Sequence, residues 1–118
     1  MTARWRGIIG FEGVESIDGR RIEPEGARWE LPIPLRNAEN TEKIGTIDAI
    51  ERRSDGALIA SGTTTIDLLD GEGLAMNMDD LGVAVIDGVI VFRSGRVRYV
   101  YITHVSAWLE ARVLEVTT

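Results

Sequence analysis

Residues 81–105, LGVAVIDGVIVFRSGRVRYVYITHV, decide the fold class. Apolar stretches rich in valine, isoleucine and tyrosine are interrupted by Asp87-Gly88 and Ser94-Gly95. Such dipeptides favour tight turns, because glycine takes positive φ freely and the short polar side chain bonds to nearby backbone. The segment reads as an antiparallel meander of three strands. Along its last limb Val97, Tyr99 and Tyr101 alternate with Arg98, Val100 and Ile102, so both faces of that strand are expected to be partly buried.

The same punctuation extends outward from this segment. RGIIGFEG (6–13) reads as a first strand, and GVESIDGRRIEPEG (13–26) as turns, with Asp18-Gly19 the strongest signal. WELPIPL (29–35) is extended but carries two prolines, which lack an amide hydrogen and belong at a sheet edge or in an arm. RNAENTEK (36–43) is a polar loop, and residues 44–52 and 57–65 are expected to pair antiparallel across Ser54-Asp55-Gly56. TTTIDLLDGEG (63–73) has room for one short helix, capped by Thr64 or Thr65 and ended by Gly71. SAWLEA (106–111) reads as a helical turn or a bend, and ARVLEVTT (111–118) as the last strand. The expected fold is mainly β: a small closed or partly open antiparallel β-barrel with one or two short helices. Residues 1–118 form a single domain, with 1–7 as an N-terminal arm and 27–43 as an extended arm and loop.

Nineteen acidic residues against 13 basic ones give a net charge of −6, which argues against nucleic acid as a partner. The chain has no cysteine, so it has no disulfide, thiolate nucleophile or cysteine-held metal. The apolar run near the start, before glycine and charge return, is too short for a signal peptide, and no run approaches a membrane span. An intracellular or intravirion setting fits this composition.

Motifs that carry chemistry are sparse. His104 is the lone histidine, and it serves either as a base near neutral pH or as a surface histidine. Ser106, two residues on, shares a strand face with it, but sequence does not supply a hydrogen bond between them. Asp79-Asp80, with Asp67, Asp70 and Glu72 nearby, lack the spacing of a calcium loop and read as surface charge. No phosphate-binding glycine loop and no G-x-S-x-G elbow occurs. No cofactor and no metal is expected. Trp5, Trp29 and Trp108 are the large anchors, and Trp29 beside LPIPL is the best interface candidate among them.

Four blocks carry a resemblance: GIIGFEGVESIDGRRIEPEGARW (7–29), ELPIPL (30–35) with IGTIDAIERRSDGALIASG (44–62), GLAMNMDDL (73–81), and GRVRYVYITHVSAWLEARV (95–113). In order and spacing they resemble the HK97-type prohead (capsid maturation) protease family of actinobacteriophages over about residues 8–116. The resemblance implies a herpesvirus-protease-like β fold and a serine nucleophile activated by histidine. The nucleophile position falls on Ala75, whose methyl group cannot attack a carbonyl. The family's histidine belongs in the interval that here is Arg36 to Lys43, and this interval has none. Ser106 and Trp108 stand where the family's late block has proline and phenylalanine.

With both catalytic positions blank, the resemblance implies a pseudoprotease rather than an enzyme. The expected role is a structural virion protein: a capsid decoration or cement protein, and a homo-oligomer that binds the phage major capsid protein. It would assemble in the host cytoplasm and reside in the virion capsid, with no membrane partner. A procapsid assembly factor derived from the protease is the alternative, and an active protease using Ser106 and His104 a further one. Contact candidates are Trp5 and Arg6 near the N-terminus, Trp29, Pro32, Pro34 and Leu35 in the arm, and Trp108.

Overall fold

The computed structural model describes residues 3–38, 41–68 and 71–117. Among them the regular elements are β1 (Ala3–Phe11), β2 (Arg20–Ile22), β3 (Ala27–Trp29), β4 (Ile33–Arg36), β5 (Lys43–Arg52), β6 (Ala57–Thr64), β7 (Gly73–Ile86), β8 (Val89–Thr103) and β9 (Val113–Thr117). Strand β8, 15 residues long, works as a rail. One edge carries β7, antiparallel. The other edge carries three short strands in succession, all parallel to it: β2 at residues 90–92, β3 at 95–97 and β4 at 100–101. From β4 the sheet continues through β5, β6, β1 and β9, each antiparallel to the last.

The sheet curls into a partly open barrel, and its two ends meet at one place. There Gly73 bridges Arg112, Leu74 N–H donates to the Ala111 carbonyl (2.9 Å), and Val113 N–H donates to the Glu72 carbonyl (2.8 Å). Beyond this closure the β7–β8 hairpin projects, which accounts for principal extents of 48 × 26 × 24 Å. Period-two alternation fills the interior. Trp5 and Ile9 point in from β1, Leu58 and Ala60 from β6, and Leu35, Leu74, Val100 and Val113 complete the same cluster. Fully burying each large apolar side chain of this kind contributes about 1.5–3 kcal/mol. The tightest approach is between β5 and β6, where a Cβ on Gly62 would lie 1.7 Å from the Thr46 carbonyl oxygen.

Several expectations are corrected. No helix occurs among the described residues. In the 63–73 segment, of which 69 and 70 lie outside the described residues, the threonines serve the sheet rather than a helix cap. Thr65 donates its N–H (2.8 Å) and hydroxyl (3.0 Å) to the Ile44 carbonyl, and the buried Thr64 hydroxyl bonds to Ile66 O and N. Residues 106–111 are a bend and turn, closed by the Ser106 hydroxyl on the Ala111 carbonyl (2.9 Å) and by Ala111 N–H on the Trp108 carbonyl (3.0 Å).

The meander has two strands, not three: Asp87-Gly88 turns, but β8 runs through Ser94-Gly95. Gly95 is held there by its N–H on the Gly26 carbonyl (3.0 Å) and lies beneath Leu81 and Met78, each 2.8 Å from where a Cβ would be. The sheet is mixed rather than antiparallel, because β2, β3 and β4 all follow β8 in its own direction. The 27–43 segment is correspondingly not a free arm. It supplies β3 and β4, and β4 lies between β5 and β8, whose pairing begins at Leu35, just past the prolines. Likewise residues 3–7 belong to β1, which is paired on both sides.

Candidate functional site

A cleft of about 430 Å³ opens between β7, β8 and the loops around Ile17 and Ser106. Its apolar floor includes Met76, Met78, Phe92 and Tyr101, with Ala75 among them. One wall is fixed by Ser16, whose hydroxyl donates to the Asp18 carboxylate and accepts the Arg20 N–H (3.1 Å). Ile17 N–H donates to the Ala107 carbonyl (2.8 Å), tying that wall to the opposite one. Arg20 lies 3.5 Å from Asp18, so the cleft mouth carries a solvent-exposed ion pair.

Ala75 is half-buried on β7 and pairs with Tyr101 of β8. Tyr101 pairs on its other side with Arg36 of β4. Ala75, Tyr101 and Arg36 therefore form one row across three adjacent strands, and at ordinary strand spacing the outer two are on the order of 10 Å apart. Ala75 and Arg36, the first residue of the 36–43 interval, are thus brought within two strands of each other, though far apart in sequence. One end of the row is a methyl group, and the other is a guanidinium lying 4.2 Å over the Tyr99 ring. Of the interval itself, residues 39 and 40 lie outside the described residues.

Ser106 lines the cleft, but its hydroxyl donates to the Ala111 carbonyl, and His104 is exposed. Among the described residues no hydrogen bond joins the two. Of the acidic run, Asp79 takes both oxygens to the Arg96 guanidinium (3.0 and 2.9 Å), which holds its carboxyl below the usual range. Asp80 lies 3.7 Å from Arg28, and Asp70 is outside the described residues.

The contact candidates separate into core and surface. Trp5 is 2% exposed and donates its indole N–H to the Thr63 carbonyl (3.2 Å), and Leu35 is fully buried. Neither is available to a partner, because alternation along β1 and β4 turns each into the barrel. Trp29 is half-buried with the Arg52 guanidinium 4.7 Å over its ring. Trp108 is half-buried, donating to the Val14 carbonyl (2.9 Å) with its ring 6.1 Å from Phe11. Pro34 is half-buried, while Pro32, after a cis Leu31–Pro32 bond, and Arg6 are exposed.

Two features escaped the sequence reading. One is the buried carboxylate of Glu12, met by Arg52 at 2.8 Å, which no local motif announces. The other is the exposed apolar strip Leu81, Val83 and Val85, which lies in an uncharged run of the sequence. Comparison with protein-family models, with curated proteins and with solved structures finds no match for this chain.

Proposed function

We propose that this chain is a structural phage virion protein, a capsid decoration or cement protein, built on a prohead-protease-like fold that has lost its chemistry. The observation that carries the reading is the row Ala75–Tyr101–Arg36. It supports the reading in that Ala75, on which the resemblance puts the nucleophile, lines the cleft and is two strands from Arg36, the start of the interval in which the resemblance puts the histidine. The mainly β, partly open barrel agrees with the coarse architecture that the resemblance implies. A fold without its chemistry still offers surfaces, and a protein of this lineage meets coat subunits during assembly. The exposed Pro32 with its neighbour Leu31, between β3 and β4, and Arg6 on β1 are the groups left to touch the major capsid protein.

Mass spectrometry of purified particles tests this directly. The protein is expected in mature virions at a copy number near that of the coat protein. Absence from mature particles overturns the reading, and presence in proheads alone replaces it with the assembly-factor role.

A further inference from the structure

Past the closure at Gly73 no strand continues the sheet from β7 among the described residues, and the barrel opens there into the cleft. The deep end of this opening is the apolar core itself: Ile22 and Leu74, 3% and 0% exposed, both line it. Its lips are apolar as well, because Ile17 and Val105 line it yet are 60% and 74% exposed. Met76 and Met78 also line it, and their unbranched thioether chains adapt to the shape of what lies against them. Water in such a place is displaced with gain by an apolar occupant.

The charge around the cleft is opposite in sign to that of the whole chain. The charged residues that line it are Asp18, Arg20 and Arg21, two positive against one negative, in a chain of net charge −6. Asp18 does not saturate Arg20: the two stand 3.5 Å apart, each more than half exposed, and the Asp18 carboxylate also accepts the Ser16 hydroxyl. Arg20 is next but one to Ile22 on β2, so the two share a strand face, with the arginine at the rim and the isoleucine at the deep end. An apolar opening with a cation at its rim suits a molecule with an apolar body and an anionic end.

We propose that this cleft binds an aliphatic carboxylate of medium length, its chain lying along Met76 and Met78 toward Leu74 and its carboxylate on Arg20. A guanidinium and a carboxylate match as a two-pronged hydrogen-bonded pair, which Asp18 at 3.5 Å does not form with Arg20. The cleft volume of about 430 Å³ is toward the lower end of the range of ligand pockets, about 300–1,000 Å³, and so suits a short chain rather than a long one. The mouth of a β-barrel is a recurrent place for small apolar ligands, since the sheet walls off the chain and leaves the head in water. Such a ligand is independent of the capsid role, because the isolated chain can hold it.

Octanoate is the probe, with octanol and octylammonium as chains of the same length and different head charge. Binding to the full chain is followed by NMR of isotope-labelled methionine methyl groups. Octanoate is expected to shift the Met76 and Met78 signals saturably, with Kd below about 1 mM. Octanol should bind several-fold more weakly, and octylammonium more weakly still. A nonspecific apolar patch on a chain of net charge −6 would give the reverse order. Arg20→Gln should remove the advantage of octanoate over octanol. Asp18→Asn, which keeps an acceptor for the Ser16 hydroxyl and frees Arg20, should tighten octanoate a few-fold. Ala75→Trp, which fills the cleft, should abolish binding of all three, with circular dichroism confirming that the fold is kept. Absence of a saturable shift at about 1 mM octanoate overturns the proposal. Equal affinity for the three heads, or an octanoate affinity unmoved by both Arg20→Gln and Asp18→Asn, overturns it as well.

Discussion

Arg52 Nε stands 2.8 Å from Glu12 Oε1, closing an ion pair whose acidic member is only 6% exposed. The Glu12 carboxylate also accepts the Ala27 N–H (2.9 Å), while Arg52 donates to the Ala27 carbonyl and covers Trp29. Through one carboxylate and one guanidinium, β3 is fixed to the end of β1 and to β5. The Arg52 guanidinium is held above its ordinary pKa, chiefly by its hydrogen bond to Glu12. Arg52→Ala leaves that carboxylate buried without its counter-charge. The expected loss is about 2–4 kcal/mol in urea unfolding, reduced from a fully buried pair because Arg52 remains partly solvated. Glu12→Leu combined with Arg52→Met should recover most of it. A loss below about 1 kcal/mol for Arg52→Ala would show that water replaces the guanidinium freely.

Gly62 and Gly88 make a contrasting pair. A methyl group at Gly62 collides with the Thr46 carbonyl at 1.7 Å in the middle of the β5–β6 ladder, where both partners are backbone and cannot step aside. Gly62→Ala should cost at least about 3 kcal/mol or abolish folding. Gly88 at the hairpin tip has φ of 79° and open space around it, so Gly88→Ala should cost only about 1–2 kcal/mol, from backbone strain alone. Thermal melts of the two variants distinguish steric from conformational demand. Equal shifts would contradict the β5–β6 approach.

Acid should weaken the fold through its surface aspartates. Asp55 sits in the β5–β6 turn with both oxygens on Arg53 (2.9 and 2.8 Å), which, with the Ala57 N–H, lowers its pKa from 3.8 to about 2. Asp48 beside Arg4 and Asp79 beside Arg96 are lowered in the same direction by their hydrogen bonds to arginine. Because the folded value lies below the unfolded one, the stabilisation is complete above pH 3.8 and is lost as the pH falls through about 2. Carboxylate titration by NMR should place the Asp55 midpoint near 2, and Arg53→Gln should move it up toward 3.8. A midpoint already at 3.8 in the wild type would mean that the turn ion pair does not persist in solution.

A hydroxyl introduced at position 75 should not confer hydrolysis. Ala75→Ser puts a hydroxyl into the cleft beside Tyr101, but His104 belongs to an exposed turn and the described part of the 36–43 interval offers no imidazole. A serine without a general base has an unactivated hydroxyl. Labelling with a fluorophosphonate probe and cleavage of coat protein should both stay at background. Labelling at the substituted position would reveal a base that neither the sequence nor the row of residues supplies.

Much of the β content was legible because it is written locally. The Ser54-Asp55-Gly56 turn between two β-branched runs, and Asp87-Gly88, fall where the hairpins turn. What local pattern does not contain is partnership. Pro32 and Pro34 read as an edge because proline cannot donate, yet β4 is interior, since β8 engages it only from Leu35 onward. Trp5 read as an arm residue because its neighbours are arginines, yet strand alternation buries it while leaving Arg4 and Arg6 outside. Thr64 and Thr65 read as helix caps because hydroxyls satisfy amides in either role, and only the tertiary position of Ile44 decides between them. At the candidate site Ala75 was readable as a residue without chemistry, but its alignment with Tyr101 and Arg36 depends on two registers, one of which, Arg36 with Tyr101, is made over more than sixty residues of chain.

The rail-like role of β8 bears on how this protein can be made. Strands β2, β3 and β4 lie within residues 20–36, and each needs a partner between residues 90 and 101. While the ribosome is still short of that point, the nascent chain can zip β5 onto β6, and β6 onto β1, but its second and third strands have nothing to lie on. Completion of the sheet therefore waits until residues 90–101 have been made, and its most distant pairings carry the largest loop-closure cost. Until then an unfinished and adhesive chain is exposed, and holding it apart from its neighbours falls to the cell's chaperones.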